Sequence, residues 1–239
     1  MAVVMRIALC FSGMLRTWDK CIPTIIQHVI QANPQHQFDS FMATWDVRGK
    51  NPVWWESTKD LDRVDFNALQ YPELNLKTFL VDTYQTSDLM RMVERETKEG
   101  GRFFPNSGMQ CNPHNVMPML KKIEQAHNLA VDNSNAGVHY DLFVKLRTDL
   151  LFSGNMIFSE PKDKTIFMPD HECWGPGSLN DQLVYGAPWM MAIHASIFQK
   201  LPVIFNAIHT LHPESILDYW YRSLNVTVVK EKIPYRIER

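Results

Sequence analysis

An α/β sandwich is the fold class the sequence predicts, on three observations. Met5 to Phe11 (MRIALCF) is a short apolar run ending in Ser12-Gly13, the pattern of a buried strand entering a tight turn. Ile22, Ile25, Ile26, Val29 and Ile30 then recur at three- and four-residue spacing, which predicts a helix after Thr17. Phe38 to Trp45 (FDSFMATW) reads as a second strand ending at Asp46. Strand, turn, helix and strand in that order open an α/β architecture.

The remaining elements follow in order. Pro23 is expected in the first turn of the first helix, where proline is tolerated. Residues 47 to 75 lack a pattern and are rich in Trp, Pro and charge, so they predict a surface excursion. Leu76 to Val81 alternates like a strand, and Thr86 to Lys98 reads as a helix stopped by Gly100-Gly101. After a loop over Phe103 to Pro113, a helix is predicted from Asn115 to Leu129, then an Asn- and Gly-rich loop over Asp132 to His139. Tyr140 to Phe152 (YDLFVKLRTDLLF) is the densest strand pattern and carries Lys145, Arg147 and Asp149 within an apolar run. Ile166 to Met168 predicts a short strand, and Pro169 to Leu179 a glycine-rich loop. A helix is expected to start near Asn180-Asp181. His212-Pro213-Glu214 opens another helix to about Ser223, Val226 to Lys230 forms a last strand, and Ile233 to Arg239 is read as a polar tail.

Composition narrows the function. The 239 residues are 45% hydrophobic and 21% charged, which sets aside disorder and coiled coil for the whole chain. That length suits one domain, or a domain with a small subdomain. Lys+Arg 24 against Asp+Glu 26 lacks the basic excess of a phosphate-led nucleic-acid binder, so no nucleic-acid partner is expected. No apolar run is long enough to cross a bilayer, so no transmembrane segment is expected. The four cysteines (Cys10, Cys21, Cys111, Cys173) are scattered without C-x-x-C spacing, which suits a reduced, cytoplasmic, soluble protein. Walker A, G-x-G-x-x-G and G-x-S-x-G motifs are absent, against P-loop nucleotide use, dinucleotide redox chemistry and acyl hydrolysis.

Polar residues where buried strands end carry the chemistry, because ligands of open α/β sheets bind beyond the carboxyl ends of the strands. Three such ends stand out: Ser12-Gly13 with Arg16, Thr44 to Asp46, and Arg147-Thr148-Asp149. Gly13 permits close backbone approach to a ligand, and Arg16 can reach a phosphate; a plain helix entry is the alternative. Asp149 in an apolar strand needs a counter-charge. Arg147 two residues away supplies one as a structural ion pair, or a divalent metal supplies it. Asp181 is either a helix cap or a general base presented into a cleft. His212 either caps the helix at Pro213 or, with His209 and Glu214, holds a metal or a phosphate.

Taken together, these segments resemble the glycosyltransferases that build bacterial and viral surface polysaccharides. The resemblance rests on Arg6 to Gly13 with Arg16, and on Phe38 to Asp46 ending Ala-Thr-Trp-Asp. It continues through Tyr140-Asp141 with Val144 to Asp149, Asn180-Asp181-Gln182 with Tyr185-Gly186, the Pro213-Glu214 helix, and Ile233 to Ile237. It touches about half of the chain and skips about 50 to 105. It implies a single GT-A-type, Rossmann-like α/β/α domain over residues 1–239 with a mixed, mostly parallel central sheet. Residues to about 150 would bind the nucleotide-sugar and the rest the acceptor. Ser12, Gly13 and Arg16 would line the diphosphate, Thr44 and Asp46 would lie toward the base or ribose, and Asp181 would be the catalytic base of an inverting enzyme. Asp149 matches the last carboxylate of a D-x-D motif, which ligates Mn²⁺ or Mg²⁺. The first Asp of that motif is Arg147 here, so Arg147 or Lys145 could neutralise the diphosphate directly and His212 could be a second metal ligand.

The implied activity is transfer of a sugar, from a UDP-sugar first of all, to a hydroxyl of a glycan acceptor in polysaccharide biosynthesis or protein glycosylation. The departing diphosphate needs cationic stabilisation and the acceptor hydroxyl needs a base. Trp174, Trp189 and the Trp54-Trp55 pair are candidate sugar-stacking walls. Two other readings predict different behaviour. A metal-dependent hydrolase or phosphotransferase would use Asp149, His209, His212 and Glu214, and a binding module of the same fold would bind nucleotide without turnover.

Overall fold

The computed structural model describes residues 3–48, 63–64, 66–69, 71–84, 91, 111, 113–170 and 179–238. The helix expected over 86–98, apart from Arg91, and the loops expected over 103–113 and 169–179 fall mostly outside these residues, as do Trp54, Trp55 and Trp174.

Strands β1 (Arg6–Ser12), β2 (Gln37–Trp45), β3 (Leu76–Asp82) and β4 (Leu142–Arg147) lie where the apolar runs predict them. They join β6 (Thr165–Pro169), β7 (Leu183–Gly186) and β8 (Thr227–Glu231) in one sheet ordered β3-β2-β1-β4-β7-β6-β8. Neighbours pair in parallel except at β7, which is antiparallel to both β4 and β6. A single reversed strand therefore sits inside an otherwise parallel, seven-stranded sheet.

Alternation along β1 explains the layering. Ala8 and Cys10 face one core, shared with helices α2 (Pro113–Asn135), α3 (Pro188–Ala195), α4 (Ile197–Ile208) and α5 (Pro213–Ser223). Ile7, Leu9 and Phe11 face a second core with α1 (Trp18–Ile25) and the ribbon of β5 (Leu150–Phe152) and β9 (Tyr235–Ile237). Both faces of the central strands are covered, which is why they read as continuous apolar runs. Among the described residues no single helix is long and apolar enough to cross a membrane.

Several boundaries depart from expectation. Pro23 lies inside α1 rather than in its first turn, and the helix continues over Ile26–Ile30 with a widened turn in which Gln31 N–H reaches the Ile26 carbonyl at 2.9 Å. Helix α2 starts at Pro113 and runs on to Asn135, absorbing the start of the expected loop. Ala130 is buried there and Asn133 donates to the Tyr140 hydroxyl at 2.7 Å. The predicted strand 140–152 is two strands broken at Thr148-Asp149, because β5 leaves the main sheet to pair with β9. The supposed polar tail thus contains a strand. Around residue 181 the correction is larger. Residues 183–186 form strand β7, and the helix begins only at Pro188.

Candidate functional site

The connection order creates a crevice. From β1 the chain moves outward to β2 and β3, then returns to place β4 on the other side of β1. The carboxyl ends of β1 and β4 therefore diverge at a topological switch point, the place where such sheets receive ligands. Register sets Ser12 beside Arg147, and Gly13 N–H is tied to the Ala43 carbonyl at 3.2 Å. Gly13 has φ +118°, a conformation that side chains other than glycine's resist. Thr148 closes the turn by donating to the Met14 carbonyl at 2.5 Å.

Two arginines converge on one carboxylate here. Arg147 forks onto Asp149, with Nε 2.9 Å from Oδ1 and Nη2 2.7 Å from Oδ2, and Arg16 Nη1 lies 4.0 Å from Oδ2. Asp149 is 4% exposed at its side chain, whereas Arg147 and Arg16 keep 21% and 23%. Burial alone would raise the Asp149 carboxyl, but the Arg147 fork and the Arg16 charge hold it below the ordinary carboxylate range. The ion-pair alternative for Asp149 is the arrangement the structure adopts.

Reversal of β7 decides what faces this carboxylate. Because β7 runs against its neighbours, its amino end lies beside the carboxyl end of β4, with Leu183 opposite Leu146. Asp181, expected at a helix start, instead precedes a strand and is delivered to the same edge. Lys145, 2% exposed, donates through Nζ to the carbonyls of Asp181 and Gln182, the latter at 3.2 Å, and Arg147 N–H reaches the Gln182 carbonyl at 3.2 Å. Asn180 completes the turn, its Oδ1 accepting from Gln182 N–H at 2.8 Å and from the Tyr235 hydroxyl at 3.2 Å. Burial lowers Lys145 to about 8 despite the Asp181 charge nearby.

The start of α5 approaches the same place. His212 occupies the N-cap position without a side-chain capping bond, and its Nδ1 lies 3.2 Å from Glu214 Oε2. Glu214 is raised to about 7, by burial first and then by the charge of Asp181. Burial lowers His212. His209 ends α4, exposed and edge-on to Phe205, so the His209–His212–Glu214 cluster is not assembled.

No protein-family model matches the sequence, and no curated protein is significantly similar to it. The function must be argued from the site.

Of the residues singled out in the sequence, the structure brings together Ser12, Gly13, Arg16, Lys145, Arg147, Asp149, Asp181 and His212. Thr44 and Asp46 lie one strand further out. Thr44 is fully buried, its hydroxyl directed at the Trp45 carbonyl. Asp46 ties down neighbouring segments, accepting from Tyr84 N–H at 3.0 Å and from Arg63 at 3.4 Å. That corner is filled by Lys122, which is 2.8 Å from Asp82 and 4.1 Å from the Trp45 ring centre. Trp189 follows the carboxyl end of β7, where Gly186 pairs with Phe143 near the amino end of β4, at the opposite end of the strands from Asp149.

Mn²⁺ or Mg²⁺, implied by the resemblance, requires oxygen ligands in close contact. Both Asp149 oxygens are held by the Arg147 fork, and Arg16 sets a second positive charge beside them. The donor set around Asp149 does not fit a divalent cation. Asn180 and Tyr235 were not singled out as site residues, although both lie in segments that carry the resemblance. Their roles depend on a turn and a strand pairing that local sequence does not display.

Proposed function

We propose that this protein is a GT-A-type glycosyltransferase, moving a sugar from a nucleotide-sugar donor to a hydroxyl of a glycan acceptor with inversion. The observation that carries the reading is the meeting, at one switch point, of an arginine pair with a carboxylate delivered from the opposite side by a reversed strand. The arginines suit a departing diphosphate, where negative charge develops as the anomeric bond breaks. Asp181 suits removal of the proton from an attacking hydroxyl. With the arginines on the leaving-group side and Asp181 on the acceptor side, displacement would be in line, hence inverting. Gly13 leaves the backbone close to the phosphates.

In this reading Arg16 and Arg147 bind and orient the diphosphate, Asp181 accepts the acceptor proton, and Lys145 holds Asp181 in place through its backbone carbonyl. The experiment is thermal stability of the chain with UDP, GDP, CDP and CMP, followed by assay of nucleotide release from the matching nucleotide-sugars. A ligand at a hundredfold excess over Kd adds about 2.7 kcal/mol. UDP is the first expectation, from the resemblance. Asp181→Asn should leave nucleotide affinity nearly unchanged and lower transfer about a hundredfold or more. Full-rate transfer by that variant would remove Asp181 from the role of base. Binding without turnover in the native protein would leave a non-catalytic module.

A further inference from the structure

The disagreement between Asp149 and a metal site leads further. Resting on the transferase reading, we propose that the leaving-group site is an arginine-built, metal-independent receptor for a diphosphate, in which Asp149 is a positioning residue for Arg147 and Arg16.

Asp149 meets Arg147 through two parallel contacts of 2.9 and 2.7 Å, the bidentate form in which a planar guanidinium and a carboxylate lock each other. A divalent cation on the remaining lone pairs of either oxygen would stand within a few ångströms of two guanidinium groups, and like charges so close repel strongly. The arginines, by contrast, are set for an anion. The fork commits Nε and Nη2 of Arg147, and the side chain keeps 21% of its surface open. Arg16 approaches from the turn after β1 with 23% open. Both guanidinium groups lie at the mouth of the crevice, beside the Gly13 backbone. Guanidinium also binds phosphate oxygens in the same planar, paired fashion that it uses for carboxylate.

The backbone of Asp149 is held as firmly as its side chain. Its carbonyl accepts from Glu238 N–H at 2.9 Å, and the Glu238 carbonyl accepts from Thr17 Oγ1 at 2.9 Å. Thr17 adjoins Arg16 and Asp149 follows Arg147, so the two turns that carry the arginines are tied together through Glu238 before any ligand arrives, which is the preorganisation an anion receptor needs.

The test is calorimetric titration of the full chain with UDP, GDP, CDP and inorganic pyrophosphate, each in EDTA and in Mn²⁺. The expected result is binding of a nucleoside diphosphate in EDTA, no more than about threefold weaker than in Mn²⁺. Asp149→Asn, which loosens the fork, should weaken binding about tenfold in EDTA, the scale of one charge-assisted hydrogen bond, and Mn²⁺ should not restore it. Arg16→Gln leaves the Arg147–Asp149 fork in place and should lose a similar factor. Binding that EDTA abolishes and Mn²⁺ restores would overturn the proposal and leave the transferase reading standing. Pyrophosphate binding in EDTA that is weakened by Arg16→Gln, with no nucleotide bound, would keep the receptor and sink the transferase reading. No binding of any of these ligands would overturn both.

Discussion

Asp149 and Glu214 are carboxylates of one cleft with opposite fates. Asp149 is buried against two arginines and held ionised, whereas Glu214 is buried near Asp181 and pushed up to about 7. Environments that separate such groups are a mark of functional sites. A folded value raised from 4.5 to about 7 stabilises the fold below about pH 4.5, and that contribution is lost as pH rises through about 7. Glu214→Gln carries no such titration. Its melting temperature relative to native should therefore rise between about pH 5 and about pH 8, within about 1.4 kcal/mol per unit of pH. A constant difference across that range would mean that Glu214 titrates like an exposed carboxylate. At this scale the sequence is legible as residue type alone. It shows that Asp149 needs a positive partner, but the choice between Arg147 and a metal depends on how the Thr148 turn aims both side chains.

At the scale of elements, the deciding feature is the reversed strand β7. Its Leu-Val-Tyr-Gly run is buried throughout and leads straight into the apolar helix α3. A short apolar run with both faces covered has no period of its own, so a helix start near Asp181 and a strand start two residues later look alike in sequence. Strands β1, β2 and β4 are legible because turn residues or charge mark their ends. The register of β7 is held by Lys145 through the carbonyls of Asp181 and Gln182. Lys145→Met removes that donor and leaves the Asp181 carbonyl short of a partner, while the Gln182 carbonyl keeps the Arg147 N–H, at about 1–3 kcal/mol for the one left unsatisfied. Urea unfolding should show a loss of about 1–3 kcal/mol, and on the transferase reading transfer should fall more than nucleotide affinity. Native stability in this variant would deny Lys145 its place as a strut.

Across the whole molecule, the strand–helix–strand opening and the ordinary composition make the α/β class legible. The strand order, the β5–β9 ribbon and the layering are not, because they depend on pairings between distant segments. Acid sensitivity is a property at this scale. His194 is buried between α3 and α5, with Nδ1 2.6 Å from the Tyr221 hydroxyl, and burial together with the Lys145 charge lowers it to about 3. Burial lowers His127 as well. The unfolded chain binds protons on these groups below about 6.5 while the folded chain does not, so stability falls as pH drops from about 6.5 toward 3. His194→Phe should flatten that decline by about 1.4 kcal/mol per pH unit, though it costs about 1–3 kcal/mol at neutral pH by leaving the Tyr221 hydroxyl alone. Unchanged steepness in pH-dependent melting would exclude His194 as a source.

The bond from Glu238 to the Asp149 carbonyl sets an order of events while the chain is being made. The turn that carries Arg147 and Asp149 leaves the ribosome about ninety residues before the strand that clasps it. At roughly 5–20 residues per second, that is an interval of about 4–18 seconds. During it the Leu150–Phe152 edge has no strand beside it and the two turns that carry the arginines lack their shared tie through Glu238. A nascent chain stalled in that interval would hold most of the sheet and still lack a finished crevice.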